Sequence, residues 1–307
     1  MVMKIYDVII IGGGGSGLTA ALYTSRANLS TLLMEKLTPG GQIALTDVVE
    51  NYPGFPEGVT GPEISMKMEE QAKKYGTEIV YQEVKSIVKK DEHFEILTAA
   101  TPYYSRGIIL AAGASFRMVG VPGEKELTGR GVSYCATCDG AFFKGKEIIV
   151  VGGGDSALQE GIFLTRFATK VSVIHRRDKL RASPILQDRA KQNPKIQFIW
   201  DTVVEKIQGE KKVEAVILKN VKTGEAKTFK TDGVFVFIGH EPNTKFLNGF
   251  VALDEHGYVK AEESLKTSVP GVFAAGEIRA GAVKQLVSAC GEGCEAALAC
   301  QHYLEND

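Results

Sequence analysis

The most reactive feature of this chain is the stretch Cys135-Ala136-Thr137-Cys138-Asp139-Gly140. Two thiols separated by two residues can close a small disulfide ring and open it again. An acid directly after the second, Asp139, can supply or remove a proton as the thiol changes state. Such a pair reads as redox chemistry in an intracellular protein and as half a zinc site in a metal-binding one, so both readings stand at this point.

Composition narrows the setting. A chain of 307 residues, 44% apolar and 24% charged, suggests two domains of ordinary size with sizeable cores. Thirty-six basic against 37 acidic residues leave a net charge of −1, which gives no electrostatic case for nucleic acid or an anionic membrane. Five cysteines are too few, and odd in number, for a secreted disulfide framework. The opening residues 1–11 carry one Lys and an apolar run of only four residues, unlike a signal peptide. No stretch approaches the ~18 apolar residues of a membrane helix. The expectation is a soluble cytoplasmic protein.

The elements that must position the dithiol show a repeat. Residues 7–11 read as a buried parallel strand, followed by Gly12-Gly13-Gly14-Gly15-Ser16-Gly17, a helix to about Ala27, and a second strand over 31–34 that ends at Glu35. This is a dinucleotide-binding fingerprint in its required context. Gly12 allows the tight turn, Gly14 lets backbone approach a pyrophosphate, and Gly17 lets helix and strand pack closely. The helix N-terminus offers N–H groups to phosphates, and Glu35 is placed to accept from ribose hydroxyls. The unit recurs 140 positions later: strand 147–151, Gly152-Gly153-Gly154-Asp155-Ser156-Ala157, a helix to about Phe167, and strand 171–174 ending at His175-Arg176-Arg177. Where the first copy has an acid, the second has His175, Arg176 and Arg177, with Arg181 four residues past Arg177. A carboxylate repels a 2′-phosphate and guanidiniums bind it, so the first site should take FAD or NAD and the second NADP(H).

Residues 39–42 and 50–55 are turn-rich loops of the kind that line ligand sites. Residues 65–75 read as helix, 77–84 as strand, and 106–113 as an apolar strand ending in small residues. Linkers are expected near 121–124 and 241–244. Residues 271–277 form a strand ending in Gly276 and Glu277, with a helix from about Lys284 to Ala299. If this tail completes the first domain, the second is an insertion on two adjacent connections, which would make a hinge.

These motifs, with Gly40-Gly41-Gln42-Ile43, Glu50-Asn51-Tyr52-Pro53-Gly54-Phe55 and Phe273-Ala274-Ala275-Gly276-Glu277, resemble low-molecular-weight thioredoxin reductases over nearly the whole chain. The resemblance implies an α/β fold in three layers: two Rossmann-like nucleotide-binding domains, an FAD domain (1–115 and 248–307) and an inserted NADPH domain (116–247). It implies electron flow from NADPH through FAD to a Cys135–Cys138 disulfide and on to thioredoxin, in a homodimer whose NADPH domain rotates. Cys138 would lie against the flavin, Cys135 would attack the thioredoxin disulfide, and Asp139 would be the acid/base.

FAD contacts carry over to Gly12, Gly14, Ser16, Gly17 and Glu35, to Gly41, Gln42, Asn51, Val84, Ala112 and Gly113, and to Glu277, Lys284, Gln285 and Leu286. NADPH contacts carry over to Gly152, Gly154, Asp155, Ser156 and Ala157, to His175, Arg176, Arg177 and Arg181, and to Ile238 and Gly239. The chain departs from the common pattern at Gly15-Ser16 (usually Pro-Ala), Glu277 (usually Asp), Lys284 (usually Arg) and residues 111–113, which lack the usual Thr. All of these fall on the FAD side. A related flavoprotein reductase of another protein or small-molecule disulfide is the alternative. No metal site is expected: Cys290, Cys294 and Cys300 read as small-residue helix packing, and Trp200 as packing. His93, His240, His256 and His302 lack metal-ligand spacing.

Overall fold

The computed structural model describes residues 4–46, 48–49 and 51–306. Residues 1–3, at the start of the segment read above for a signal peptide, and Glu50, which opens the 50–55 motif, lie outside them. The chain divides into two compact units: one holds residues up to Ser115 and from Glu241 onward, the other Phe116–His240.

In the first unit, β1 (Ile5–Ile11) pairs in parallel with β2 (Thr31–Glu35) on one side and β8 (Tyr103–Leu110) on the other. β5 (Glu78–Tyr81) and β19 (Val272–Ala274) extend the parallel part, and β6 (Ser86–Lys89) and β7 (Phe94–Leu97) add an antiparallel arm. The apolar run of β1 is buried on both faces, as a sheet covered on both sides requires. Val8 and Ile10 pack with Leu18, Ala20 and Ala21 of α1 (Gly15–Arg26) and with Ala296 and Ala297 of α6 (Leu286–Asn306). Ile9 and Ile11 join a second core with Ile87, Phe94, Ile96, Val251 and Val259. α2 (Gly61–Lys74) starts at Thr60, whose hydroxyl accepts from the Glu63 N–H at 3.2 Å, and a short ribbon of β3 (Val48–Val49) and β4 (Val59–Thr60) precedes it.

The second unit repeats the plan. β10 (Val132–Ser133), β17 (Gly233–Phe237), β11 (Glu147–Gly152), β12 (Lys170–Ile174) and β13 (Ile196–Ile199) form an all-parallel sheet in that order. Ile148 and Val150 pack towards Leu158 and Leu164 of α4 (Asp155–Leu164) and Ala190 of α5 (Pro184–Gln192). Ile149 and Val151 pack towards a three-stranded antiparallel sheet, β14 (Thr202–Gln208), β15 (Ala215–Asn220) and β16 (Ala226–Lys230). Each unit is thus helix, parallel sheet and a further β or loop layer.

The passages between units, β9 (Ala114–Phe116) and β18 (His240–Pro242), pair with each other. The return crossing falls at His240/Glu241, ahead of the expected 247/248. Residues 241–247 belong with the first unit because Phe246 and Leu247 join its apolar core and the Asn243 side chain donates to the Ala112 carbonyl at 2.7 Å. The expected strand over 106–113 ends at Leu110, leaving 111–113 free for a crevice. The last helix runs to Asn306, beyond the expected Ala299.

Candidate functional site

Both glycine loops sit at topological switch points, where a central strand has its parallel neighbours on opposite sides and a crevice opens beyond the strand ends. In the first unit Gly12 follows β1 at φ +107°, and a Cβ there would come within 2.7 Å of the Ala112 Cα. Gly17 lies against the Gly12 carbonyl carbon, 2.9 Å from any added Cβ. Gly14 differs: a Cβ on it meets nothing within 4 Å. The space before the N-terminus of α1 is therefore open, and Gly14's backbone faces it.

A cleft of ≈ 380 Å³ adjoins this loop, lined by Gly12, Glu35, Val84, Ala112 and Asn243 among others. One Glu35 oxygen accepts from the Gly13 N–H at 2.8 Å and the other from Leu37 N–H at 3.0 Å, so the carboxylate is held with lone pairs to spare. Gly41 touches the loop, an added Cβ lying 3.4 Å from the Gly14 Cα. Gln42 donates to the Ala114 carbonyl, and Asn51 donates to the Gln285 side chain at 3.0 Å. Gly113, at φ +64°, accepts from the Asn243 N–H at 3.0 Å.

The C-terminal segment closes on the same loop. Ser16 packs under Gly276, whose added Cβ would lie 2.6 Å from the Ser16 Oγ, and Leu286 packs on Gly15. Glu277 is half-buried, and its buried Oε2 has no hydrogen-bond partner. Burial pushes its carboxyl above the usual range, while the Lys284 ammonium opposes that rise. Lys284, exposed at its surface, is in turn pushed below the usual lysine range by partial desolvation, which Glu277 opposes.

In the second unit a Cβ on Gly152 would lie 2.5 Å from the Phe237 carbonyl oxygen and 2.6 Å from Ala157 Cβ. Ala157 thus fills the packing place of Gly17, and Gly154, like Gly14, faces open space. Ile238 and Gly239 follow β17 at the crevice, where Gly239 accepts from the Arg117 N–H at 3.0 Å. Asp155 and Ser156 are exposed on the first turn of α4.

Arg181 N–H donates to the Gly153 carbonyl at 2.7 Å and Ser183 N–H to the Asp155 carboxylate at 2.5 Å, drawing the arginine loop against the glycine loop. Arg176, Arg177 and Arg181 are exposed, and among the described residues none of the three is ion-paired. His175 stands apart from them. It is buried beneath Gly153, its Nε2 is 2.9 Å from the Lys179 carbonyl, and its ring meets Trp200 edge-on. It supports the loop from below rather than presenting charge beside the arginines.

Cys135 and Cys138 are joined in a disulfide in this second unit. Both are half-buried at the start of the short helix α3 (Ala136–Asp139), with Thr137 exposed between them. Ala136 joins the apolar core, and Gly140 packs closely on Leu164 and Phe167 at the end of α4. Among the described residues no metal-ligand cluster occurs, and Cys290 and Cys300 are buried in helix packing. Burial pushes the Cys300 thiol up to about 12.

No sequence motif marks Glu124. This fully buried carboxylate accepts from Val119 N–H at 2.9 Å, Gly120 N–H at 2.7 Å and the Tyr134 hydroxyl at 2.9 Å. Tyr134, next to Cys135, stacks on Phe116 at 5.0 Å, and its phenol is raised above the usual range by burial and then by Glu124. An acid beside the Val121-Pro122-Gly123 turn was the only signal available. A shallower hollow of ≈ 410 Å³ around Gly123, Lys206 and Gly209 holds none of the expected site residues.

Two glycine loops with contrasting second-strand ends, and a disulfide in the same unit as one of them, suit a pyridine-nucleotide disulfide reductase. Residues 6–293 match the pyridine nucleotide-disulphide oxidoreductase family. Thioredoxin reductase of Bacillus subtilis is 54% identical, the alignment covering 98% of this chain and 96% of that one. The chain belongs to the thioredoxin reductase family.

Thioredoxin reductase of Peptoclostridium litorale is 45% identical over 98% of both chains. The crystal structure of thioredoxin reductase from Streptococcus pyogenes superposes with a TM-score of 0.95 at 46% identity, covering 99% of each chain. That of Giardia duodenalis gives 0.92 at 38% identity, with 99% and 100% covered. Thioredoxin reductases are NADPH-dependent flavoproteins, and the residues present fit both cofactors. Open space at Gly14, the held Glu35 carboxylate and the unpartnered Glu277 oxygen suit FAD, and open space at Gly154 beside unpaired arginines suits NADPH.

Proposed function

We propose that this enzyme reduces the disulfide of a thioredoxin, using NADPH as electron donor, FAD as relay and Cys135–Cys138 as the exchanging disulfide. The observation that carries the reading is the Cys135–Cys138 bridge, formed in the same unit as the arginine-flanked nucleotide loop. The first unit is the FAD domain and Phe116–His240 the NADPH domain. Gly12, Gly14 and the N-terminus of α1 hold the FAD pyrophosphate, and Glu35 the adenosine ribose. Gln42, Asn51, Glu277, Lys284 and Gln285 hold the flavin half.

Arg176, Arg177 and Arg181 bind the 2′-phosphate of NADPH, and Gly154 admits its pyrophosphate. FAD, when bound, passes the two electrons of a hydride from NADPH to the disulfide. Reduction breaks the S–S bond and leaves a dithiol. Cys135 as thiolate then attacks one sulfur of the thioredoxin disulfide, forming a mixed disulfide and releasing the other thioredoxin sulfur as thiolate. Cys138 attacks Cys135, releasing reduced thioredoxin and restoring the intramolecular bridge. Asp139 carries the proton between Cys138 and solvent. The working form is a cytoplasmic homodimer.

Cys138→Ser tests the reading. NADPH should still bleach the flavin band while thioredoxin reduction is lost. A variant that reduces thioredoxin at the wild-type rate refutes it.

A further inference from the structure

The turn between the two sulfurs holds donors that disulfide formation does not require. Cys135 caps α3 with extended backbone (φ −140°, ψ 108°), and its Sγ accepts the Cys138 N–H at 3.2 Å. Thr137 Oγ1 lies 3.5 Å from the same sulfur, within O–H···S range. Ser133, itself buried, braces the residue from behind: its Oγ accepts from the Cys135 N–H at 3.1 Å and donates to the Cys135 carbonyl at 3.2 Å. The Asp139 N–H reaches that carbonyl too, at 3.2 Å. The backbone carrying Cys135 Sγ is therefore fixed, and the amide and the hydroxyl converge on one sulfur.

In the bridged state those donors meet a neutral sulfur and contribute little. Once the bond is broken, the same donors meet a group that ionises, and hydrogen bonds to a charged acceptor are the stronger kind. Donors to a thiolate lower its pKa and raise its population at neutral pH. We propose that the Thr137 hydroxyl, with the Cys138 N–H, holds Cys135 as the thiolate of the reduced pair, which makes Thr137 a catalytic residue for exchange with the protein disulfide. The proposal rests on the assignment of Cys135 as the attacking sulfur. Exposure of Thr137 leaves its side chain free to be exchanged without disturbing a core.

The test uses the intact FAD enzyme, reduced with dithiothreitol, desalted without oxygen and alkylated with iodoacetamide across pH 5–10. Peptide mass spectrometry reads the rates at Cys135 and Cys138 separately. In Thr137→Val the Cys135 midpoint should move to higher pH, with alkylation below it slowed about three- to tenfold, as expected for one solvent-exposed hydrogen bond of ordinary net strength. Thr137→Ala should behave as Val does, and Thr137→Ser should restore the wild-type curve.

Superimposable Cys135 curves overturn the proposal. So does an equal displacement at both cysteines, which marks a disturbed loop, or failure of Ser to restore. Neither thioredoxin nor NADPH turnover enters the measurement, so its failure leaves the reductase reading untouched, and failure of the Cys138→Ser test leaves this result standing.

Discussion

Gly14, the N-cap of α1, and Gly17, in its first turn, lie three residues apart yet face opposite environments, and alanine at each should separate folding from cofactor binding. At Gly17 a methyl group would sit 2.9 Å from the Gly12 carbonyl carbon, closer still to its oxygen, and 3.4 Å from Ala111 Cβ. Neither backbone atom can move without lifting α1 off β1. Overpacking of a tight core costs about 1–3 kcal/mol, and collision with rigid backbone places Gly17→Ala at the upper end. At Gly14 the methyl group meets nothing within 4 Å, and the backbone has φ −74°, which alanine adopts without strain. The apoprotein should melt within about 0.5 kcal/mol of wild type.

The vacant volume is where the pyrophosphate must approach the α1 amides, so the same methyl group should displace it. Losing two hydrogen bonds to a charged group, each worth about 1.5 kcal/mol or more, weakens FAD binding by about 150-fold. Thermal melts of deflavinated protein, paired with FAD titration by flavin fluorescence quenching, read the two effects separately. Gly14→Ala that binds FAD as wild type does, or that melts as low as Gly17→Ala, refutes the argument.

Other outcomes follow from the same geometry. Arg176→Ala and Arg177→Ala should each raise the KM for NADPH by about tenfold or more while leaving NADH kinetics unchanged; equal losses with both nucleotides would remove the 2′-phosphate assignment. Lys284→Met takes away the cation that offsets the half-buried Glu277. Glu277's folded-state pKa then rises further, so its contribution is favourable below the unfolded value of about 4.3 and is lost as pH rises through the raised value. Relative to wild type the apoprotein variant should lose stability as pH climbs from 4 to 8, by about 1 kcal/mol after allowing for the half-exposed lysine; a pH-independent difference in melting sinks this account. Arg279→Ala strands Glu292, whose carboxylate accepts from Arg279 at 2.5 and 3.2 Å and from the Gly276 N–H at 2.8 Å. With both side chains mostly but not fully buried, losing the partner should cost about 1–3 kcal/mol, seen as a lower melting temperature by circular dichroism, and Glu292→Gln should lose less because it keeps an acceptor for Gly276.

Much of this molecule is legible in one dimension because its repeated unit is local. A buried strand, a glycine turn, a helix and a second strand occupy about 30 consecutive residues. The apolar run of β1, the spacing of Gly12, Gly14 and Gly17, and the exchange of Glu35 for His175-Arg176-Arg177 can therefore be read directly. The Cys135/Cys138 spacing is likewise local, and the structure closes that pair as a disulfide.

What only the tertiary structure decided involves partners far apart along the chain. Segment 241–247 packs with the first unit because the Asn243 amide finds the Ala112 carbonyl, 131 residues away. His175 and Arg176 are neighbours in sequence, but the side chains of consecutive residues leaving a strand point opposite ways. One is buried under Gly153 and the other is in solvent. Glu124 gains its role from a hydroxyl ten positions on and from amides of its own loop, and Glu277 is left with a buried oxygen that no partner reaches. No spacing rule encodes such contacts, since each depends on where a distant backbone group comes to rest once the sheets have formed.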